Sequence, residues 1–171
     1  FQAEDGIRDC LLSRGLGDVY KRQGALRLIT NKAFSKMKLH DQMVLTPHPG
    51  EAADMLKVST QEIQKDRIES AKKLQKKYNC IIVLKGQGTI ICNKKEMYLC
   101  SSGGPELAVA GTGDILSGVI GSLIAQGLAP LDAAIAGVGL HAQAGENFAT
   151  DVGRIGLAAS ELIPQIRKLL N

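Results

Sequence analysis

Ala110-Gly111-Thr112-Gly113-Asp114 opens an apolar stretch with helical spacing. Glycines let a backbone come close to a ligand, and the free N–H groups of a helix N-terminus attract anions. A phosphate fits there. An aspartate at the same place repels an anion, and it makes sense there as a base. In that role Asp114 takes a proton from a hydroxyl as a phosphoryl group arrives, while the helix N-terminus stabilises the developing charge. The structural alternative is that Asp114 only favours the helix start, worth about 0.5–2 kcal/mol. The pattern is not a Walker loop, since no Gly-Lys-Ser/Thr follows, and it is not G-x-G-x-x-G after an N-terminal strand.

Two more loops carry compatible chemistry. In Thr46-Pro47-His48-Pro49-Gly50-Glu51, two prolines hold the backbone around His48 stiff, and Glu51 falls in the first turn of a helix. The alternatives are an incidental histidine in a Pro-rich turn and a glutamate serving the helix dipole. In Lys85-Gly86-Gln87-Gly88-Thr89, a lysine directly after an apolar run can reach a phosphate, with Thr89 and the glycine amides assisting. A tight turn with an exposed lysine is the plainer reading. His141 reads as a hydrogen-bonded helix histidine that could line the same site, and Cys80, Cys92 and Cys100 read as small core hydrophobes.

The elements that position these loops follow from periodicity. Ala25 to Phe34 fits a short amphipathic helix, Met43 to Thr46 a strand, and Pro49 the first turn of a helix. Ser59-Thr60-Gln61-Glu62 is a capping box opening one helix with Ile63, Ala71, Leu74 and Tyr78 on a face. Cys80 to Leu84 is apolar throughout, as in a parallel strand buried on both sides. Thr89–Cys92 and Met97–Cys100 form a hairpin. Helices follow from about Gly113 to Gln126 with Gly127 as its cap, from Pro130 to about Phe148, and from Leu157 with an interruption at Pro164. The order predicts an α/β fold with a mostly parallel sheet. A loop at a strand's carboxyl end is where such sheets bind ligands.

Residues 1–23 lack either period and resemble a translated sequencing adapter. They are expected to be non-native, leaving 24–171 as the domain-forming body. The full chain has 171 residues, the size of one domain, and 44% hydrophobic residues, which excludes a disordered tail. No apolar run reaches the ~20 residues of a membrane span, and no secretory leader opens the chain. Net charge is +4, spread among acids rather than clustered, and aromatics are 4%, so nucleic acid is not an expected partner. The cysteines form no C-x-x-C pair and suit a reducing, cytoplasmic setting. Glycines crowd 103–121, and between Leu107 and Gly145 the only acids are Asp114 and Asp132.

LTPHPGEAADML, IVLKGQGT, AVAGTGDILSGVIGSLIAQG and GVGLHAQAG together resemble the NAD(P)H-hydrate dehydratases of the ribokinase-like superfamily, in their ADP-using bacterial branch. The resemblance runs from about Gly24 to Leu170. It implies a three-layer α/β/α fold, incomplete on its N-terminal side, and the C-terminal portion of a longer domain. It implies repair of nicotinamide nucleotides: the S hydrate of NADH or NADPH is phosphorylated from ADP on its ring hydroxyl, and phosphate then leaves, giving NADH or NADPH, AMP and phosphate. By the same resemblance Asp114 is the base and touches the hydrate, and His48 contacts the hydrate. Lys85, Gly86, Gln87, Gly88, Thr89 and Gly113 border the nucleotide, and Glu51 supports Mg²⁺ through water. A homo-oligomer is implied for the full-length protein. The chain departs from the family pattern at Gly103-Gly104-Pro105-Glu106-Leu107, where Asn-Pro-Gly or Asn-Ala-Gly is usual. The alternatives are another ribokinase-like small-molecule kinase acting on a vitamin precursor, and an inactive nucleotide-binding fragment.

Overall fold

The computed structural model describes residues 39–171 and the backbone of a strand at Val19–Tyr20. The helix expected at Ala25 to Phe34 lies outside the described residues. Five strands form one sheet in the order β1 (Val19–Tyr20), β2 (Val44–Leu45), β3 (Ile81–Leu84), β4 (Thr89–Cys92) and β5 (Met97–Cys100). β1, β2 and β3 run parallel, while β3, β4 and β5 pair antiparallel, so the described sheet is mixed. Within the parallel portion, β2 and β3 carry the candidate loops at their carboxyl ends. β1 falls inside residues 1–23, the segment expected to be non-native. Its register sets Val19 against Val44 and Tyr20 against Leu45.

Strand side chains alternate between faces. Met43, Leu45, Ile82, Leu84, Ile90 and Cys92 pack with Ala52, Met55, Ile63, Ala71 and Leu74. These come from α1 (Pro49–Leu56), α2 (Thr60–Lys65) and α3 (Arg67–Tyr78). Val44, Ile81, Val83 and Ile91 point the other way, onto α4 (Thr112–Ala125) and α5 (Pro130–Asp151). The result is the expected three-layer sandwich, and it explains why Ile81 to Leu84 shows no polar alternation: both faces are covered. A third cluster joins α5 to α6 (Leu162–Leu169) through Ala144, Phe148, Leu162 and Ile166. Pro164 sits in the first turn of α6, where its missing N–H costs nothing.

The single helix expected after Ser59 is two. Asp66 leaves helical geometry (φ −147°, ψ 88°) and its carboxylate accepts the Glu69 N–H at 2.9 Å, capping α3 afresh. At the end of α4, Gly127 takes φ 99°, with its own N–H on Ile124 O (2.9 Å) and the Leu128 N–H on Leu123 O (3.2 Å), a Schellman closure. α4 and α5 cross closely at Gly137, where an added Cβ would lie 2.6 Å from Ile120 Cγ1. Among the described residues no helix is long and apolar enough to cross a membrane.

Candidate active site

His48 ends the chain's exit from β2 and is the N-cap of α1. Its Nδ1 accepts the N–H groups of Gly50 (3.1 Å) and Glu51 (3.2 Å), and Glu51 Oε2 accepts the His48 N–H at 2.7 Å. This is a reciprocal capping box made with an imidazole. Nδ1 acts as acceptor, so the proton of the neutral ring sits on Nε2. The Lys85 ammonium lies 3.7 Å from Glu51 Oε2, as does His48 Nε2. Glu51 and Lys85 are largely buried, whereas the His48 side chain is 45% exposed. The structural and chemical readings of His48 are therefore compatible: one ring nitrogen caps the helix and the other edge is open.

The loop after β3 is tied to this one by the Lys85 N–H, which donates to Pro47 O at 2.9 Å. Gly86 (φ 136°) and Gly88 (φ 68°) take left-handed backbone that other residues rarely adopt. Arg67, at the start of α3, donates to Leu84 O (3.1 Å), Lys85 O (3.2 Å) and Gln87 O. Burial lowers its pKa from the ordinary value, yet a guanidinium keeps its charge at neutral pH.

The third contribution is the start of α4. Gly111 is its N-cap with φ 91°, and Asp114 is the third residue of the helix, exposed toward solvent. Helix-capping hydrogen bonds from the Gly111 position involve no side chain. The side chains of Thr112, His141 and Ser117 hold this turn. Thr112 Oγ1 lies 2.9 Å from Leu107 O and 2.8 Å from Val109 O. His141 Nε2 lies 2.8 Å from Thr112 O, and since a carbonyl only accepts, Nε2 carries the proton. Ser117 Oγ donates to Gly113 O at 3.0 Å, which leaves the buried Thr46 hydroxyl as donor to Ser117 Oγ at 3.2 Å. The residue two before His48 is thus bonded to the helix that carries Asp114.

These parts face one cleft of about 1170 Å³. His48, Glu51, Lys85, Gly86, Gln87, Thr89, Gly113 and Asp114 all line it, as does His141. Gly88 does not; it turns the hairpin beneath, against the Leu99 side chain. From segment 103–107, Gly103, Gly104, Pro105 and Leu107 also line the cleft. Glu106 is 2% exposed and accepts the Gly104 N–H at 2.7 Å, while Glu146 accepts the Gly103 N–H at 2.9 Å. The Glu106 carboxylate is thus engaged within its own loop.

Cys80 and Cys92 are buried core residues, with burial pushing their thiols up to about 12 and about 11. Cys100 is half-buried: it packs at the edge of the core cluster of Val83, Ile91 and Leu116 and also lines the cleft. Among the described residues no three His, Cys, Asp or Glu side chains group as a metal cage. Arg67, Ser117 and Glu146 escaped the sequence reading. For Arg67 one signal existed: Asp66 followed three residues later by Glu69 is itself a helix-start pattern. Ser117 and Glu146 act through partners 71 and 43 residues away, which local spacing does not reveal.

The family profile described as NAD(P)H-hydrate dehydratase matches residues 23–168. The bifunctional NAD(P)H-hydrate repair enzyme of Coxiella burnetii is 46% identical over 132 residues, 77% of this chain and 27% of that protein. The ADP-dependent (S)-NAD(P)H-hydrate dehydratase of Neisseria meningitidis is 40% identical over 131 residues, 75% of this chain and 44% of that protein. A Bacillus subtilis ADP/ATP-dependent NAD(P)H-hydrate dehydratase, co-crystallised with ATP/Mg²⁺, superposes with a TM-score of 0.72 at 34% identity, covering 75% of this chain and 47% of that one. A ribokinase-like protein of Enterococcus faecalis superposes over 99% of this chain and 59% of its own, with a TM-score of 0.79 at 22% identity, which shows the shared fold. The chain spans less than half the length of the Coxiella and Neisseria relatives.

Proposed function

The chain belongs to the NAD(P)H-hydrate dehydratase family, and from that membership we propose that it supplies the nucleotide loop and catalytic base of an ADP-dependent repair enzyme. The substrate is the S hydrate of NADH or NADPH. Asp114 takes the proton of the ring hydroxyl as that oxygen attacks the β-phosphorus of ADP. The bond between that phosphorus and the bridging oxygen breaks, releasing AMP. The new phosphate ester then leaves as phosphate together with a ring proton, which restores the ring double bond.

The observation that carries this reading is the convergence of three separate segments on one cleft. An acid at the start of α4 faces a histidine loop and a lysine–glycine loop. The dipole at the α4 start, with the Gly113 N–H, favours the transferring phosphoryl group. Lys85 and the Gly86–Thr89 backbone are assigned to the nucleotide, together with Gly113; within that loop Gly88 supplies the turn, at φ 68°. His48 presents its Nε2–H edge to the hydrate.

Magnesium commonly uses one or two carboxylates plus substrate phosphates and keeps several waters. Glu51 suits that pattern: it is one carboxylate in the cleft, with Oε2 already taken by the His48 N–H. Glu51 would hold the ion through water, and the ion would offset phosphate charge. We assign a homo-oligomer to the full-length protein on family grounds, and a cytoplasmic setting from cysteines that form no C-x-x-C pair.

The direct test is return of NADH absorbance from its hydrate, in the protein extended to the family's length, with ADP present or withheld. ADP-dependent recovery with AMP and phosphate as products is expected. No recovery with either ADP or ATP would refute the reading.

A further inference from the structure

We propose that Arg67 is a positioning residue that holds the Lys85–Thr89 loop in nucleotide-receiving shape from behind. The inference rests on the reading that this loop takes ADP. Arg67 donates to three backbone carbonyls within four residues, those of Leu84, Lys85 and Gln87. Lys85, Gly86 and Gln87 line the cleft, while Arg67 does not. Its guanidinium lies so close under Gly86 that a Cβ there would meet Nη2 at 3.0 Å and Cζ at 3.2 Å. Gly86 thus has two constraints, a left-handed φ of 136° and no room on the Arg67 side.

The chemistry explains why a guanidinium suits this place. Carbonyl oxygens at the end of a parallel strand concentrate negative partial charge beside the site meant for phosphates. A planar cation with several fixed donors satisfies them together and reverses the local field. A lysine offers a point charge and cannot span the same three acceptors. The helix break at Asp66 is what starts a new helix at Arg67. The interruption between α2 and α3 and the nucleotide loop are therefore one device.

The test compares Arg67→Ala, Arg67→Lys and the exposed-surface control Lys72→Ala in the protein extended to family length. For Arg67→Ala the expected result is a KM for ADP raised about tenfold, with kcat and the KM for hydrate within about twofold. Arg67→Lys recovers little of this, millimolar guanidinium added to Arg67→Ala recovers much of it, and Lys72→Ala changes nothing. Amide hydrogen exchange is the second readout and needs no activity. Amides of 86–89 exchange faster in Arg67→Ala while those of 70–78 in α3 keep their protection. An unchanged KM for ADP in an active enzyme overturns the proposal. So does a parallel loss of α3 protection and melting temperature, which marks a merely structural role. If the unsubstituted protein shows no ADP-dependent turnover, the functional reading fails separately, and unchanged exchange at 86–89 still overturns the loop-holding role.

Discussion

Asp114 bears the largest chemical demand of any single side chain in the cleft. It stands at the third position of α4 and is exposed toward solvent, so its replacement should leave the fold intact. Asp114→Asn keeps the shape and removes the base. Turnover in the family-length protein is expected to fall by roughly 10²–10⁴, while calorimetric ADP affinity stays or improves, since a negative charge near phosphate is gone. Retained turnover removes Asp114 as base. The cysteines make a second residue-level case. Burial holds Cys80 and Cys92 as thiols, raised from 9.0 to about 12 and about 11. The folded state then keeps protons that the unfolded chain loses above pH 9. The stability from these thiols is present in full below pH 9 and lost as pH rises through about 11 and then about 12. Urea midpoints measured from pH 8 upward should fall over that window, with a shallower fall for Cys92→Ala. Alkylation at pH 8 followed by peptide mass analysis should find Cys100 modified ahead of Cys80 and Cys92.

The elements place these residues, and α4 and α5 show how tightly. Gly137 of α5 admits Ile120 of α4 where a Cβ would stand 2.6 Å from Cγ1, while Gly118 on the same helix pair has nothing within 4 Å. Gly137→Ala is expected to cost about 1–3 kcal/mol by overpacking, a drop in Tm of roughly 3–10 °C. Gly118→Ala should instead stabilise by about 0.5–1 kcal/mol from helix propensity. Calorimetric melting of both separates close packing from glycine entropy, and equal shifts would contradict the geometry. The strands and most helix limits were legible because burial imposes period: Ile81 to Leu84 is apolar on both faces, and the Schellman glycine at 127 sits where the pattern stops. The break at Asp66 has one local mark, the Asp66–Glu69 capping pattern, but the charged residues around it suit an exposed helix surface equally well in one helix or two. In the cleft, the loop residues were readable from type and spacing. The Thr46–Ser117 contact was not, because it joins elements far apart in the chain.

At the scale of the molecule, ligand binding and stability are linked. A ligand that binds only the folded state at a hundred times its Kd adds about 2.7 kcal/mol. In a chain of this length that is a rise in Tm of roughly 5–11 °C, and in one about twice as long roughly half of that. The family-length protein should show such a rise with ADP, and a further one when hydrate is added. Residues 24–171 alone should show little. The matched portion is only 47% of the Bacillus subtilis structure, and phosphoryl transfer needs both substrates held in one geometry. The described cleft is walled by two strand-end loops, the α4 start and segment 103–107, and it takes no described residue from before β2. Melting residues 24–171 across an ADP series therefore measures how much of the nucleotide site these segments build by themselves. A full-sized rise would mean that the loops behind Lys85 and Gly111 suffice for the nucleotide, and that the rest of the family's length serves mainly the hydrate. A rise confined to the longer protein would assign part of the nucleotide site beyond them.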